Sequence, residues 1–225
     1  MSEGGKRPSA AGILRRTKSR WFARGRARDP KSIGSVVALT IWRLALESIK
    51  RLRNAQFEIE ANARYFDYLA EYLIFLAQIA DRLAQTRFSL PERRDYVTFI
   101  VRRLAANLAE NRARLLGEAP VAVQQAFIDR WNERADQYAD YAFDEHGPEP
   151  AFVRHCAHAL FAVMEPADRF WLVDQLMTIE APAAVATLRP VFDNLLATAA
   201  EAADSAPGNA ANEPLPRTPA PPCPE

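Results

Sequence analysis

All three histidines of this chain lie within thirteen residues, at His146, His155 and His158. His155 and His158 are three apart, so on a helix their imidazoles share one face. Glu145 lies beside His146, and imidazoles with a carboxylate are ligands that zinc or iron accepts. These four residues form a candidate metal site. The simpler interpretation is polar residues on an amphipathic helix, so we predict no cofactor, with zinc or iron as the alternative.

A row of carboxylates at Asp136, Asp140 and Asp144 recurs every four residues. On one face of a helix, such a row can hold Mg²⁺ bridged to a diphosphate. That chemistry needs a second acidic row facing the first, and the sequence contains no matching row on another predicted helix. The alternative is a solvated helix face whose carboxylates pair with Arg130 and Arg134.

The first 31 residues hold ten basic side chains and two acidic ones, a net charge of about +8 in a chain whose total is +1. Arginine at this density attracts phosphate groups, and Trp21 can stack on bases or insert at a bilayer interface. We therefore predict a basic arm for an anionic surface. A membrane surface is favoured over nucleic acid, and a solubilising or cleaved tail is the alternative. The candidate contacts are Arg15, Arg16, Lys18, Arg20, Trp21, Arg24, Arg26 and Arg28.

The sequence gives no support for nucleophilic or nucleotide chemistry. It contains neither G-x-S-x-G nor a glycine-rich phosphate loop, and glycine is scarce at 8 residues. The two cysteines, Cys156 and Cys223, form no disulfide framework or metal spacing, which favours a reducing compartment. We expect a cytoplasmic protein, peripheral to a membrane if the arm binds lipid. The longest apolar run, 36–42, is too short for a membrane span, so we predict no transmembrane segment.

The elements that must position these residues are helices. Alanine outnumbers valine, isoleucine and threonine together, and no stretch alternates apolar and polar residues between turn signals. From residue 33 to residue 88, apolar residues recur at 11-residue intervals, which favours one long helix over two abutting ones. A weak turn signal at Arg53–Asn54 keeps the second possibility open. The segment Tyr65–Leu83 is apolar around most of its circumference, which predicts the central helix of a bundle.

The boundaries of the remaining helices follow from capping and proline signals. Ser89 and Glu92 have capping-box spacing, and Gly117 is a suitable left-handed stop. Prolines at the first or second helical position predict further helix starts. These prolines are Pro120, Pro150, Pro166 and Pro182.

Together these signals predict an all-α protein, a single antiparallel bundle of about six to seven helices with one long central helix. We predict three regions: a disordered basic arm at 1–29, the bundle at 30–204, and a disordered Pro/Ala-rich tail at 205–225. The favoured function is a non-enzymatic interaction module, an adaptor, regulator or assembly chaperone that binds a protein partner or itself. The alternatives are a metal protein or enzyme using the histidines, and a nucleic-acid-binding protein using the arm.

Overall fold

The computed structural model describes residues 29–57, 59 and 62–204, with only the backbone described from 199 onward. The predicted tail at 205–225 and the predicted basic arm at 1–29, except for Asp29, lie outside these residues. In the described chain, the only strand pairing is an antiparallel hairpin with two residues in each strand. All other regular secondary structure there is helical, which confirms the all-α prediction. The elements are α1 (Pro30–Asn54), α2 (Ala63–Ala84), α3 (Leu90–Leu116), α4 (Pro120–Tyr138), β1 (Phe143–Asp144), β2 (Gly147–Pro148), α5 (Pro150–Phe161), α6 (Arg169–Gln175), a π-helical turn (Leu176–Glu180) and α7 (Ala181–Asp204).

Local chemistry sets most helix ends. The Asp29 carboxylate accepts the Ser32 N–H at 2.7 Å, which caps α1. The Ser89 N–H donates to the Glu92 carboxylate at 2.9 Å, so the predicted capping box opens α3. Gly117 ends α3 with φ of 71°, a conformation that costs glycine little. The predicted starts at Pro120 and Pro150 are also observed.

The preference for one long helix over 33–88 is wrong, and the two-helix alternative is observed. α1 ends at Asn54, the position of the weak turn signal. Gln56 then adopts a positive φ of 68°, and the Phe57 N–H turns back to the Leu52 carbonyl at 3.0 Å. The Asn62 side chain accepts the Arg64 N–H and caps α2. Each helix buries apolar residues in the same core, so each has a helical periodicity of its own.

No helix begins at Pro166, whereas Pro182 is the second residue of α7, which continues directly from the helical turns before it. Helical structure instead begins at Arg169 and runs without a gap to Asp204 through α6, the π-helical turn and α7. Pro182 has no N–H to donate to a carbonyl one turn earlier, so it would break a regular helix. The widened π turn lies immediately before it. We attribute the continuity of the helix to this wider turn, which relieves the requirement for that hydrogen bond.

α2 is the centre of the bundle, as the Tyr65–Leu83 pattern predicts. Every residue from 68 to 80 is buried, including the polar Glu71 and Gln78. α1, α3, α4, α5 and α7 all pack against it. Helices that follow each other across short loops run antiparallel, which places α1 and α3 parallel to each other. They approach closely at Gly34, where a Cβ would lie 3.1 Å from the Tyr96 carbonyl oxygen.

α1 is also the one helix among the described residues that is long and apolar enough to cross a membrane, with a mean hydropathy of 1.4 over its most apolar window. Core helices pass the same test. Half of that window is buried here, where residues such as Ile41, Ala45 and Leu52 pack inside the bundle. Its apolar face therefore already has a partner, and the absence of a transmembrane segment stays a prediction.

Candidate functional site

The structure does not bring the four predicted metal ligands together. His146 and Glu145 lie at the tip of the β1–β2 hairpin, with side chains 86% and 85% exposed and 3.6 Å apart. His158 is exposed on α5, and its ring packs against Phe161. In the described part of the chain, no group of three or more His, Cys, Asp or Glu side chains could hold a metal ion.

His155 turns inward and serves a packing role. Its ring lies 4.7 Å from that of Tyr138 and 5.4 Å from that of Tyr141, measured between centroids. Burial lowers the pKa of His155, and the nearby Arg134 lowers it further. The imidazole is therefore held in its neutral form, and its Nε2 atom has no hydrogen-bond partner among the described residues.

The predicted row of carboxylates is split between two elements. Asp136 lies on α4 and Asp140 in the turn that follows, but Asp144 lies on β1. There its carboxylate accepts the His146 N–H at 2.7 Å and the Gly147 N–H at 3.2 Å. Asp144 thus shapes the hairpin, and the three residues do not form one continuous helical row.

The most enclosed polar cluster was not predicted and surrounds Glu180, the last residue of the π turn. Its side chain is 0% exposed. Arg51 of α1 donates to both carboxylate oxygens, from Nε at 3.0 Å and from a terminal nitrogen at 2.5 Å. The Tyr72 hydroxyl donates at 3.4 Å and the Gln175 amide at 3.2 Å. We refer to Glu180, Arg51, Tyr72 and Gln175 as the Glu180 cluster.

The charge on Glu180 is retained despite its burial. Burial alone would raise the pKa of this carboxyl, but the donors Arg51, Ser48 and Gln175 outweigh it and the pKa is lowered. The pKa of Arg51 is raised by the same hydrogen bonds. The cluster therefore ties α1, α2 and the π turn together as an ionised pair. Arg51, Tyr72 and Gln175 all donate to the Glu180 carboxylate, which is typical of a structural ion pair.

A second buried carboxylate, Glu71 of α2, is neutralised by α4. Arg134 donates to its two oxygens at 3.0 and 3.1 Å, and Arg130 lies 3.7 Å away. These arginines therefore point inward, although the sequence suggested them as partners for the outer carboxylates. The remaining terminal nitrogen of Arg134 donates to two side chains of α4, Glu133 at 3.2 Å and Gln137 at 2.9 Å.

Two of the clefts between described residues have walls whose charges are already paired. The larger, about 900 Å³, lies between the α1–α2 loop and the segment before α6. Of its two arginines, Arg64 pairs with Glu165, and Arg53 donates to the Ile59 carbonyl. The smaller, about 400 Å³, lies between α2, α3 and α4 and is lined mainly by small apolar side chains. Neither cleft presents a free cation or nucleophile among the residues described.

The most distinctive surface feature is a pair of aromatic side chains at the start of α6. Phe170 is 76% exposed and Trp171 is 61% exposed. Their rings meet edge to face, with centroids 5.1 Å apart. Ile179, later in the same continuous helix, is 45% exposed. We refer to Phe170 and Trp171 as the aromatic pair.

Compared with known proteins, the chain matches no family model, no curated protein and no solved structure. Its function must therefore be argued from its own surfaces and clusters.

Proposed function

We propose that this chain is a non-enzymatic helical interaction module, in the class of adaptors, regulators and assembly chaperones. The aromatic pair carries the proposal. Trp42 and Trp131 are only 7% and 8% exposed, so the bundle has the means to bury tryptophan. Because Phe170 and Trp171 stay exposed to water, the folded state lacks the stabilising free energy that their burial would provide.

Aromatic residues are enriched at protein interfaces and dominate their binding energy. Phe170 and Trp171 form a preorganised surface because they directly precede Leu172, which is fully buried and anchors the helix. The partner that this surface fits is a protein with an apolar pocket or a second copy of the chain.

The test is the double substitution Phe170→Ala and Trp171→Ala. We expect the free energy of unfolding to change by no more than about 0.5 kcal/mol, because both side chains are largely exposed. A partner should bind at least about 30-fold more weakly, since interface hot spots cost about 2 kcal/mol or more each. Candidates come from affinity capture in the native cell and from sedimentation velocity of the purified chain, and each is then titrated directly.

The matched control replaces two other exposed apolar residues, Leu90 and Val121, each 80% exposed. The control chain should bind as the unmodified chain does. If the aromatic-pair variant captures the same partners with the same affinity, or if no partner binds the purified chain directly, the interaction proposal is wrong.

The arm is the second part of the proposed module, and we assign it to an anionic membrane surface on its composition. Each basic residue near such a surface contributes about 1 kcal/mol. Neutralising three of them should therefore weaken binding to phosphatidylserine vesicles on the order of 100-fold. The variant is Arg15→Gln, Arg16→Gln and Arg20→Gln.

Vesicle flotation of the full chain measures this binding. The charge-matched control changes Arg94, Arg102 and Arg103, which are exposed on α3, to glutamine. We expect it to float with the vesicles as the unmodified chain does. Equal loss of flotation in both variants would show unspecific charge attraction. Salt-dependent binding to duplex DNA without vesicle binding would assign the arm to nucleic acid.

A further inference from the structure

The outer face of α4 is acidic, and among the described residues its one ion pair is that of Glu133 with Arg134, at 3.2 Å. Asp129, Glu133, Asp136 and Asp140 are all exposed, and we refer to them as the α4 acidic face. Asp129 accepts a hydrogen bond from the neutral Gln125 at 2.8 Å. No basic side chain of the described residues lies within ion-pair distance of Asp136 or Asp140, because Arg130 and Arg134 are directed at Glu71.

This arrangement is locally unfavourable. Carboxylates near the carboxyl end of a helix are repelled by its negative dipole, and like charges four residues apart repel each other. α4 belongs to a body whose charge, outside the first 31 residues, is about −7, while those 31 residues carry about +8. The largest concentration of complementary charge in the chain is therefore the arm itself.

The arm leaves the bundle at the same end as Asp136 and Asp140. α1 begins beside the start of α3, where Lys31 lies 3.6 Å from Asp95. The end of α4 lies at that end too, since Arg82, near the end of α2, donates to the Tyr138 carbonyl at 2.6 Å. α3 packs between α1 and α4, so two interhelical spacings, about 20 Å, separate them. Residues 15–28 can span roughly 46 Å when extended.

We propose that residues 15–28 dock on the α4 acidic face of the same chain. The contact covers Asp136 and Asp140, which have no ion-pair partner among the described residues, with the segment whose charge and point of exit match them. An anionic surface would compete with the α4 acidic face for the same arginines. Docking therefore restricts binding by the arm to surfaces with enough negative charge to displace it from the α4 acidic face. The inference goes beyond the proposed function and does not depend on the aromatic pair.

The test is limited trypsin digestion of the full chain, with cleavage inside residues 15–28 followed by mass spectrometry. Three exposed ion pairs, each worth about a factor of two, protect the arm roughly eightfold. Cleavage should therefore be about eightfold faster in the variant Glu133→Gln, Asp136→Asn, Asp140→Asn at low salt. At 1 M salt the Debye length falls to about 3 Å, and the unmodified chain should be cleaved as fast as the variant.

The control variant loses three charges elsewhere, through Glu47→Gln, Glu110→Gln and Asp174→Asn, all exposed. It should be cleaved at the unmodified rate. As a second measurement, a zero-length carbodiimide cross-linker applied to mixed ¹⁵N-labelled and unlabelled unmodified chains should join Lys18 to the α4 acidic face within one chain. Equal cleavage of all chains, faster cleavage of the control, or cross-links mainly between labelled and unlabelled chains would each overturn the proposal.

Discussion

Replacing Arg51 by methionine should lower the free energy of unfolding by about 3 kcal/mol at pH 7, because it leaves the buried Glu180 carboxylate without its cation. Breaking a buried pair costs about 3–5 kcal/mol, and the lower end applies because the Arg51 side chain is 36% exposed. Urea denaturation measures the change. A loss below about 0.5 kcal/mol, the range of ordinary surface substitutions, would show that the Arg51–Glu180 pair does not hold the helices together.

The stability lost in the Arg51→Met chain should depend on pH in a defined direction. In the unmodified chain the pKa of Glu180 is lowered, so its contribution to stability is present above the pKa of the unfolded state and lost as the pH falls through the folded value. Without Arg51, burial is the dominant influence and raises that pKa. The ionised carboxylate is then a penalty at neutral pH, which protonation removes. The stability deficit of the Arg51→Met chain should therefore shrink as the pH falls toward 4.

A rescue substitution separates charge from packing. Adding Glu180→Gln to the Arg51→Met chain removes the uncompensated charge and keeps one amide oxygen, which can accept from Tyr72 or from Gln175. We expect more than half of the lost stability to return, since a neutral replacement for a buried pair is tolerated. If the double variant is no more stable than Arg51→Met alone, the loss comes from the packing of the arginine stem.

Phe75→Ala should lower the free energy of unfolding by about 4 kcal/mol, because truncating a fully buried aromatic ring removes its burial and leaves a cavity. Phe75 is 0% exposed at the middle of α2. Its ring lies 5.6 Å from Tyr72 and 5.9 Å from Phe152, measured between centroids. It therefore joins α2 to α5 and supports the tyrosine that donates to Glu180.

Urea denaturation of Phe75→Ala is compared with that of Leu39→Ala, a residue 38% exposed on α1. The control should lose clearly less stability than the Phe75 variant. Because Phe75 contacts Tyr72 of the Glu180 cluster, the variant that combines Phe75→Ala with Arg51→Met should not show the sum of the two losses. Similar losses for Phe75→Ala and Leu39→Ala would contradict the central position of α2.

Much of the fold could be predicted because its signals are local. The Ser89–Glu92 capping box, the Gly117 stop and the starts at Pro120 and Pro150 each depend on residues within one helical turn. The central position of α2 follows from the apolar circumference of 65–83. The break between α1 and α2 was harder, since its signals are a weak turn at Asn54 and a capping Asn62 inside an unbroken periodic pattern.

The candidate surfaces could be predicted only in part. The proximity of His155 and His158 in sequence suggested a shared ligand, but His155 turns toward Tyr138 while His158 faces solvent. A pattern of spacing does not determine which side of a helix a bundle covers. The exposure of the aromatic pair could not be predicted for the same reason, since large aromatic residues on a helix are ordinarily buried.

The residue pattern alone specifies an all-α chain with a buried second helical segment and an uneven distribution of charge, because helix propensity, capping and composition act within short stretches. Packing specifies the pairing of Arg51 with Glu180, 129 residues apart, and the inward turn of Arg130 and Arg134 toward Glu71. A buried charge takes whichever partner the neighbouring helices bring near. That proximity is a property of the assembled bundle, so it cannot be predicted from the residues next to either partner in the sequence.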